Sequence, residues 1–114
     1  MNTNHIDQLN QASMSIILHA GNARDLYNEA LDDIEAGKLE SYKELLDRAS
    51  DEIVEAHKIQ TRLIQDAIEQ EHPDITVLFI HAQDTLMTVD SEFRTIKRIV
   101  KLYCERFGME EKNE

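Results

Sequence analysis

A chain of 114 residues with 12 basic and 23 acidic side chains carries a formal net charge of −11, and its length suits one domain with a real core. Apolar residues make up 41%, too many for a disordered chain, while a pI near 4.8 argues against a binder of nucleic-acid backbones or anionic membrane surfaces and leaves a basic protein partner or a cation. Three Gly, one Pro and the single Cys104 disfavour a turn-rich β-fold and exclude both an internal disulfide and a Cys-based zinc site.

Breakers divide the chain into three segments. Gly37 closes the first, Glu71-His72-Pro73-Asp74 the second, and Gly108 with an acidic tail the third; Gly just past a helix and Pro near the next start are the expected punctuation. In the first segment Ile6, Leu9, Ile16, Ile17, Ala20, Ala23, Tyr27, Ala30, Leu31 and Ile34 keep a 3–4 spacing. Gly21 interrupts this helix and is expected to mark a close helix approach. The second repeats the period with Tyr42, Leu45, Leu46, Ala49, Ile53, Ala56, Leu63 and Ala67. The third does so from Ile75 through Leu78, Phe79, Ala82, Leu86, Val89, Phe93, Ile96, Val100 and Tyr103 to Phe107. Three helices of about 30 residues, each roughly 45 Å long, follow. Short connections make them an antiparallel, up-down-up three-helix bundle. The whole chain, 1–114, is expected to be one helical domain with frayed ends at 1–4 and 109–114. No signal peptide is read at its start, and the longest apolar run, Val77 to Ile80, is far short of a membrane span. A cytoplasmic protein without membrane insertion is expected.

The third helix carries more than one apolar stripe. Its core stripe runs through Ile75, Phe79, Ala82, Leu86, Phe93 and Val100. Asp84 falls about 165° from the centre of that stripe, yet its helical neighbours are Val77, Ile80 and Met87. A solvated face does not look like that; burial against other subunits of a symmetric oligomer does. Copies of Asp84 around a symmetry axis would repel unless protons or a divalent cation neutralised them, and oxygen ligands suit Mg²⁺. His81 lies one turn before Asp84, between the two stripes.

No His-Glu-x-x-His zinc motif, Gly-rich phosphate loop or Ser/Cys nucleophile signature is present. His5 and His72 read as surface groups, His19 as structural, and Cys104 as a small core residue. His57, with Gln60 and Thr61 at i+3 and i+4, forms a polar edge that can donate to an anion or simply face solvent.

The run Leu78-Phe79-Ile80-His81-Ala82-Gln83-Asp84-Thr85-Leu86-Met87-Thr88 resembles the active-site segment of the lactose/cellobiose-type IIA components of the bacterial phosphotransferase system (PTS). Glu55-Ala56-His57-Lys58-Ile59-Gln60-Thr61-Arg62-Leu63-Ile64-Gln65 is similar to that family's second helix, and Ala20-Gly21-Asn22-Ala23-Arg24 with Glu29-Ala30 to its first. The resemblance implies a homotrimer, a nine-helix bundle of three-helix subunits. It implies a phosphocarrier that accepts a phosphoryl group from the carrier protein HPr on the histidine aligned with His81. The group then passes to a cysteine of a cognate IIB component during uptake of a β-linked disaccharide of the cellobiose, lactose or diacetylchitobiose class. The aligned Asp84 would bind the Mg²⁺ at the trimer axis. The residues themselves, rather than the resemblance, suggest Gln83 and the polar edge of His57 and Gln60 as groups that would position the phosphate. The resemblance departs at Thr85, where family members commonly carry a second histidine, and at the polar stretch Val89-Asp90-Ser91-Glu92-Phe93-Arg94-Thr95. Two other readings stay open: a diverged regulatory protein of the same fold, and a histidine phosphotransfer domain of two-component signalling.

Overall fold

A computed structural model describes residues 3–71 and 73–107. Three helices follow one another, α1 (Thr3–Glu35), α2 (Tyr42–Ile68) and α3 (Val77–Phe107), in a rod of 59 × 21 × 20 Å. Of the ends expected to fray at 1–4 and 109–114, residues 1–2 and 109–114 lie outside the described residues, as do the stop at Gly108 and His72, whereas Thr3 and Asn4 belong to α1.

The helix boundaries follow from local chemistry. Gly37 adopts φ 78° and completes a Schellman ending: its N–H donates to the Ile34 carbonyl at 3.0 Å, and Lys38 N–H to the Asp33 carbonyl at 2.8 Å. Orphan carbonyls of α1 are thereby satisfied. At the start of α3, Thr76 Oγ1 accepts the Phe79 N–H at 3.1 Å, a side-chain N-cap. The same hydroxyl donates to Asn10 Oδ1 at 2.7 Å, tying the first turn of α3 to α1. Asn10 and Thr76 meet near the starts of their helices, whereas Tyr42 and Cys104 meet at the start of α2 and the end of α3, 3.5 Å apart. Thus α1 and α3 run parallel and α2 runs against both.

The core is the 3–4 stripe of each helix. Ile16, Ala20, Ala23, Tyr27 and Ala30 from α1, Ala49 and Ala56 from α2, and Ala82, Leu86 and Val89 from α3 are all fully buried. Small residues let the axes approach, and Tyr27 and Phe93 fill the space with rings 5.9 Å apart. Burial of each large apolar side chain here contributes about 1.5–3 kcal/mol. Cys104 is buried, as its reading as a core residue required.

Three expectations need correction. Ile75 precedes α3 and is 66% exposed, because Thr76 rather than Ile75 starts the helix. Tyr103 and Phe107 are also exposed: their rings meet at a tilt of 50°, and the core stripe of α3 ends at Cys104. Gly21 marks no close approach within the chain, since a Cβ added there meets nothing within 4 Å.

Helix α1 packs closely against both other helices, whereas α2 and α3 share the fewest contacts. Among the described residues no helix is long and apolar enough to cross a membrane.

Candidate functional site

His81 stands in the second turn of α3 and is exposed. Its imidazole makes no hydrogen bond or ion pair among the described residues; only its carbonyl is engaged, accepting from Thr85 Oγ1 at 2.8 Å. Helical side chains lean toward the N-terminus, so the ring lies toward the turn capped by Thr76. The positive end of the helix dipole is there, where an anion is favoured.

Asp84, one turn on, is also exposed and has no hydrogen bond or ion pair among the described residues. Around it Val77, Ile80 and Met87 are 84%, 52% and 57% exposed. The second apolar stripe of α3 is thus uncovered in the single chain. Among the described residues no group of three His, Cys, Asp or Glu side chains lies close enough to hold a metal ion. One chain offers a single carboxylate, and a hard cation needs several oxygens. Three copies of Asp84 would supply a fitting donor set; one does not.

Gln83, Gln60 and His57 come together on another flank of α3. Gln83 lies two positions after His81, a rotation of about 200°, so the two side chains diverge. Gln60, only 8% exposed, donates from Nε2 to Gln83 Oε1 across the α2–α3 seam. Its own Oε1 lies 3.2 Å from His57 Nδ1. The other ring nitrogen, Nε2, is 3.2 Å from Asp90 Oδ2, and Arg94 donates to both Asp90 oxygens at 3.2 and 3.3 Å. Burial pushes the Asp90 carboxyl up, but hydrogen bonds from Arg94 and His57 and their charges outweigh it and hold it below the usual carboxylate range. Asp90 is therefore an ionised acceptor between two donors.

Asp90 and Arg94 were not singled out by sequence reasoning. Their i, i+4 spacing, and the placement of Asp90 seven residues after Gln83, were available as signals. The partner across the seam was not, because it depends on the register of two antiparallel helices. His19 has the structural role expected of it: Nδ1 lies 2.7 Å from Glu52 Oε1, joining α1 to α2. His5 is half-buried rather than a free surface group, with Nε2 2.9 Å from Gln70 Nε2 and 3.8 Å from Asp74 Oδ2.

Comparison with known proteins gives one consistent result. Residues 11–104 match the family model described as PTS system, lactose/cellobiose specific IIA subunit. The chain is 35% identical over 97 residues to the lichenan-specific phosphotransferase enzyme IIA component of Bacillus subtilis, covering 85% of this chain and 88% of that protein. It is 36% identical over 88 residues to the lactose-specific EIIA component of Streptococcus mutans, covering 77% and 85%. Among solved structures, it superposes on the cellobiose-specific enzyme IIA of Bacillus anthracis with a TM-score of 0.79 at 35% identity, over 95% of this chain and 94% of that one.

Proposed function

The chain belongs to the lactose/cellobiose-specific IIA family of the phosphotransferase system, and from that membership we propose that His81 is the residue that carries the phosphoryl group. A member of this family is a phosphocarrier: it receives a phosphoryl group from HPr on a histidine and relays it to a cognate IIB component in sugar uptake. That places the chain among phosphotransferase components rather than two-component phosphotransfer domains.

The observation that carries the assignment is the exposure of His81 with its imidazole uncommitted. A neutral imidazole nitrogen attacks the phosphorus of the HPr phosphohistidine. One N–P bond forms, the donor's N–P bond breaks, and the electron pair returns to the departing imidazole. Transfer onward forms an S–P bond on the IIB cysteine and restores the His81 imidazole. Little covalent assistance is needed; in-line positioning and charge stabilisation suffice.

Gln83, Gln60 and His57 act as positioning residues. Gln83 diverges from His81 around α3 and is tied to Gln60 and His57 on α2, so within a chain they work by fixing the roll of α3 and hence the direction of His81. The reading also includes a homotrimer, a nine-helix bundle in which Val77, Ile80 and Met87 are covered by the neighbouring chains. The carboxylates of three Asp84 residues would then hold a Mg²⁺ ion on the axis, whose charge would offset their repulsion. The sugar is a β-linked disaccharide of the cellobiose, lactose or diacetylchitobiose class, in line with the cellobiose and lactose specificities named for similar proteins.

The test is incubation with phosphoenolpyruvate, enzyme I and HPr, followed by mass analysis. An acid-labile phosphoryl adduct on the wild type, absent from His81→Ala, is the expected result. Undiminished labelling of His81→Ala would remove the assignment.

A further inference from the structure

The net charge of −11 is unevenly spread over the rod. Helices α2 and α3 touch least of the three helix pairs, and their seam opens into two grooves of about 440 and 370 Å³ that share Ser50 and Lys97. Together they follow α3 from Asp90 to Cys104, a stretch of about 21 Å, and no residue of α1 lines either. The charged side chains along them are Lys43 and Asp47 from α2 and Asp90, Arg94, Lys97 and Lys101 from α3. Asp90 is held by Arg94 and His57. Lys43, Lys97, Lys101 and Asp47 make no ion pair among the described residues, and the Lys97 ammonium lies 5.2 Å from the centre of the Phe93 ring. Three unpaired lysines against one aspartate make a basic groove on an acidic molecule.

The floor of the groove is apolar, with Tyr42, Leu46, Val54, Phe93 and Val100 along it. A trough between two helices, apolar below and cationic at its rims, suits an amphipathic helix: apolar side chains at 3–4 spacing rest on the floor, and carboxylates along the edges reach the ammonium groups. The lysine stems extend the apolar surface while their heads stay in water. Lys97 and Lys101 stand one turn apart on α3 and Lys43 on the opposite wall, a spread that fits a row of carboxylates better than one compact anion. The acidic remainder of the molecule repels a nucleic-acid backbone. An acidic exposed strip does exist on this chain, at Asp25, Glu29 and Asp32 of α1. It lies opposite Ala23, Tyr27 and Ala30, which face the core, and so points away from the groove. Copies joined strip to groove would continue head to tail without closing, which leaves a different protein as the occupant.

We propose that the α2–α3 groove, at the end of the rod remote from His81, is a docking site for an acidic amphipathic helix of a protein partner. Lys97 and Lys101 lie about 24 and 30 Å beyond His81 along α3. They are turned about 140° and 100° from Asp84, clear of the uncovered stripe of Val77, Ile80 and Met87. A helix seated in the groove therefore leaves His81 and that stripe open. The docking surface does not depend on the assignment of His81 as phosphoryl carrier.

The experiment is fluorescence anisotropy with the full-length chain and a labelled amphipathic peptide of Leu and Glu, with Leu at 3–4 spacing, beside its counterpart with Lys in place of Glu. The Glu peptide is expected to bind, more weakly as salt rises, and the Lys peptide not to bind. In Lys97→Glu/Lys101→Glu, with helical content checked by circular dichroism, the Glu peptide should lose about tenfold or more in affinity and the Lys peptide should gain it. Equal binding of the Glu peptide by wild type and variant, or no binding by either, would overturn the proposal. Displacement by inorganic phosphate beyond that of sodium chloride at equal ionic strength would assign the groove to a small anion and overturn it. Dissociation of the assembly in the variant, read by light scattering, would assign the groove to a second copy. Tighter peptide binding by Glu110→Gln/Glu111→Gln/Glu114→Gln would assign it to the chain's own acidic end; either result overturns the partner helix. Phosphoryl labelling from phospho-HPr should be the same in wild type and Lys97→Glu/Lys101→Glu. Its loss in the variant would make the groove part of the HPr contact and overturn its reading as a separate surface.

Discussion

Thr76 and Asn10 share one hydrogen bond of 2.7 Å between the N-cap of α3 and the second turn of α1. The hydroxyl that makes it also accepts the Phe79 N–H. A single oxygen therefore closes the helix end nearest His81 and fixes where that end sits. Thr76→Ala is expected to cost about 1–2 kcal/mol, read as a lowered urea midpoint at unchanged slope. Thr76→Ser keeps the oxygen and should recover most of the loss.

The two glycines described in the fold should respond oppositely to alanine. Gly37 holds φ 78°, a left-handed conformation that penalises a Cβ by about 1 kcal/mol, so Gly37→Ala lowers the melting temperature. Gly21 lies within α1, and an added Cβ there meets nothing within 4 Å. In the single chain Gly21→Ala should therefore stabilise by up to about 1 kcal/mol through helix propensity. Thermal unfolding at low protein concentration checks both, and a destabilised Gly21→Ala would point to another chain seated against α1.

Tyr27 makes stability sensitive to alkali. Its side chain is fully buried and donates to Glu92. Burial, then the Glu92 hydrogen bond, push its pKa up to about 12, with Arg24 partly opposing. The folded-state value is raised, so the contribution is complete below the unfolded value near 10 and is lost as pH rises toward 12. The loss amounts to about 2–3 kcal/mol. Tyr27→Phe should remove this alkaline loss at a neutral-pH cost of about 1 kcal/mol, measured by urea unfolding on both sides of the transition. At the acid end the sign is opposite: Asp90 is held low, so its contribution is present above the unfolded value and fades as pH falls through the folded one. Asp90→Asn should flatten that acid limb.

Asp84 and Thr85 are adjacent but should behave differently. Asp84→Leu removes the charge from an otherwise apolar, uncovered stripe, so the assembly measured by light scattering should be retained or strengthened and lose any dependence on divalent cations. Continued metal dependence in that variant would count against the axial site. The Thr85 hydroxyl is spent on the His81 carbonyl within α3. Thr85→Val should therefore leave phosphoryl labelling essentially unchanged.

The bundle was legible in the residues because helical periodicity is local. The spacing from Leu9 to Ile34 and from Ala82 to Val100 states which face is apolar, and Gly37 and Pro73 state where the chain turns. The motif around His81 and Asp84 was equally legible, since both residues sit within one turn of one helix. What tertiary structure alone decided lies across the seams. His57 and Asp90 are 33 residues apart in sequence, and Gln60 and Gln83 are 23 apart. Their meeting is set by the register of two antiparallel helices, which the packing of the whole core determines. The same holds for Ile75, which continues the apolar period but falls outside α3 because Thr76 caps it. It holds for Gly21 too, which lies inside an unbroken α1 with nothing in the chain within 4 Å of an added Cβ. Sequence determined which faces are apolar and which groups are chemical; only packing in three dimensions decided which of those groups touch.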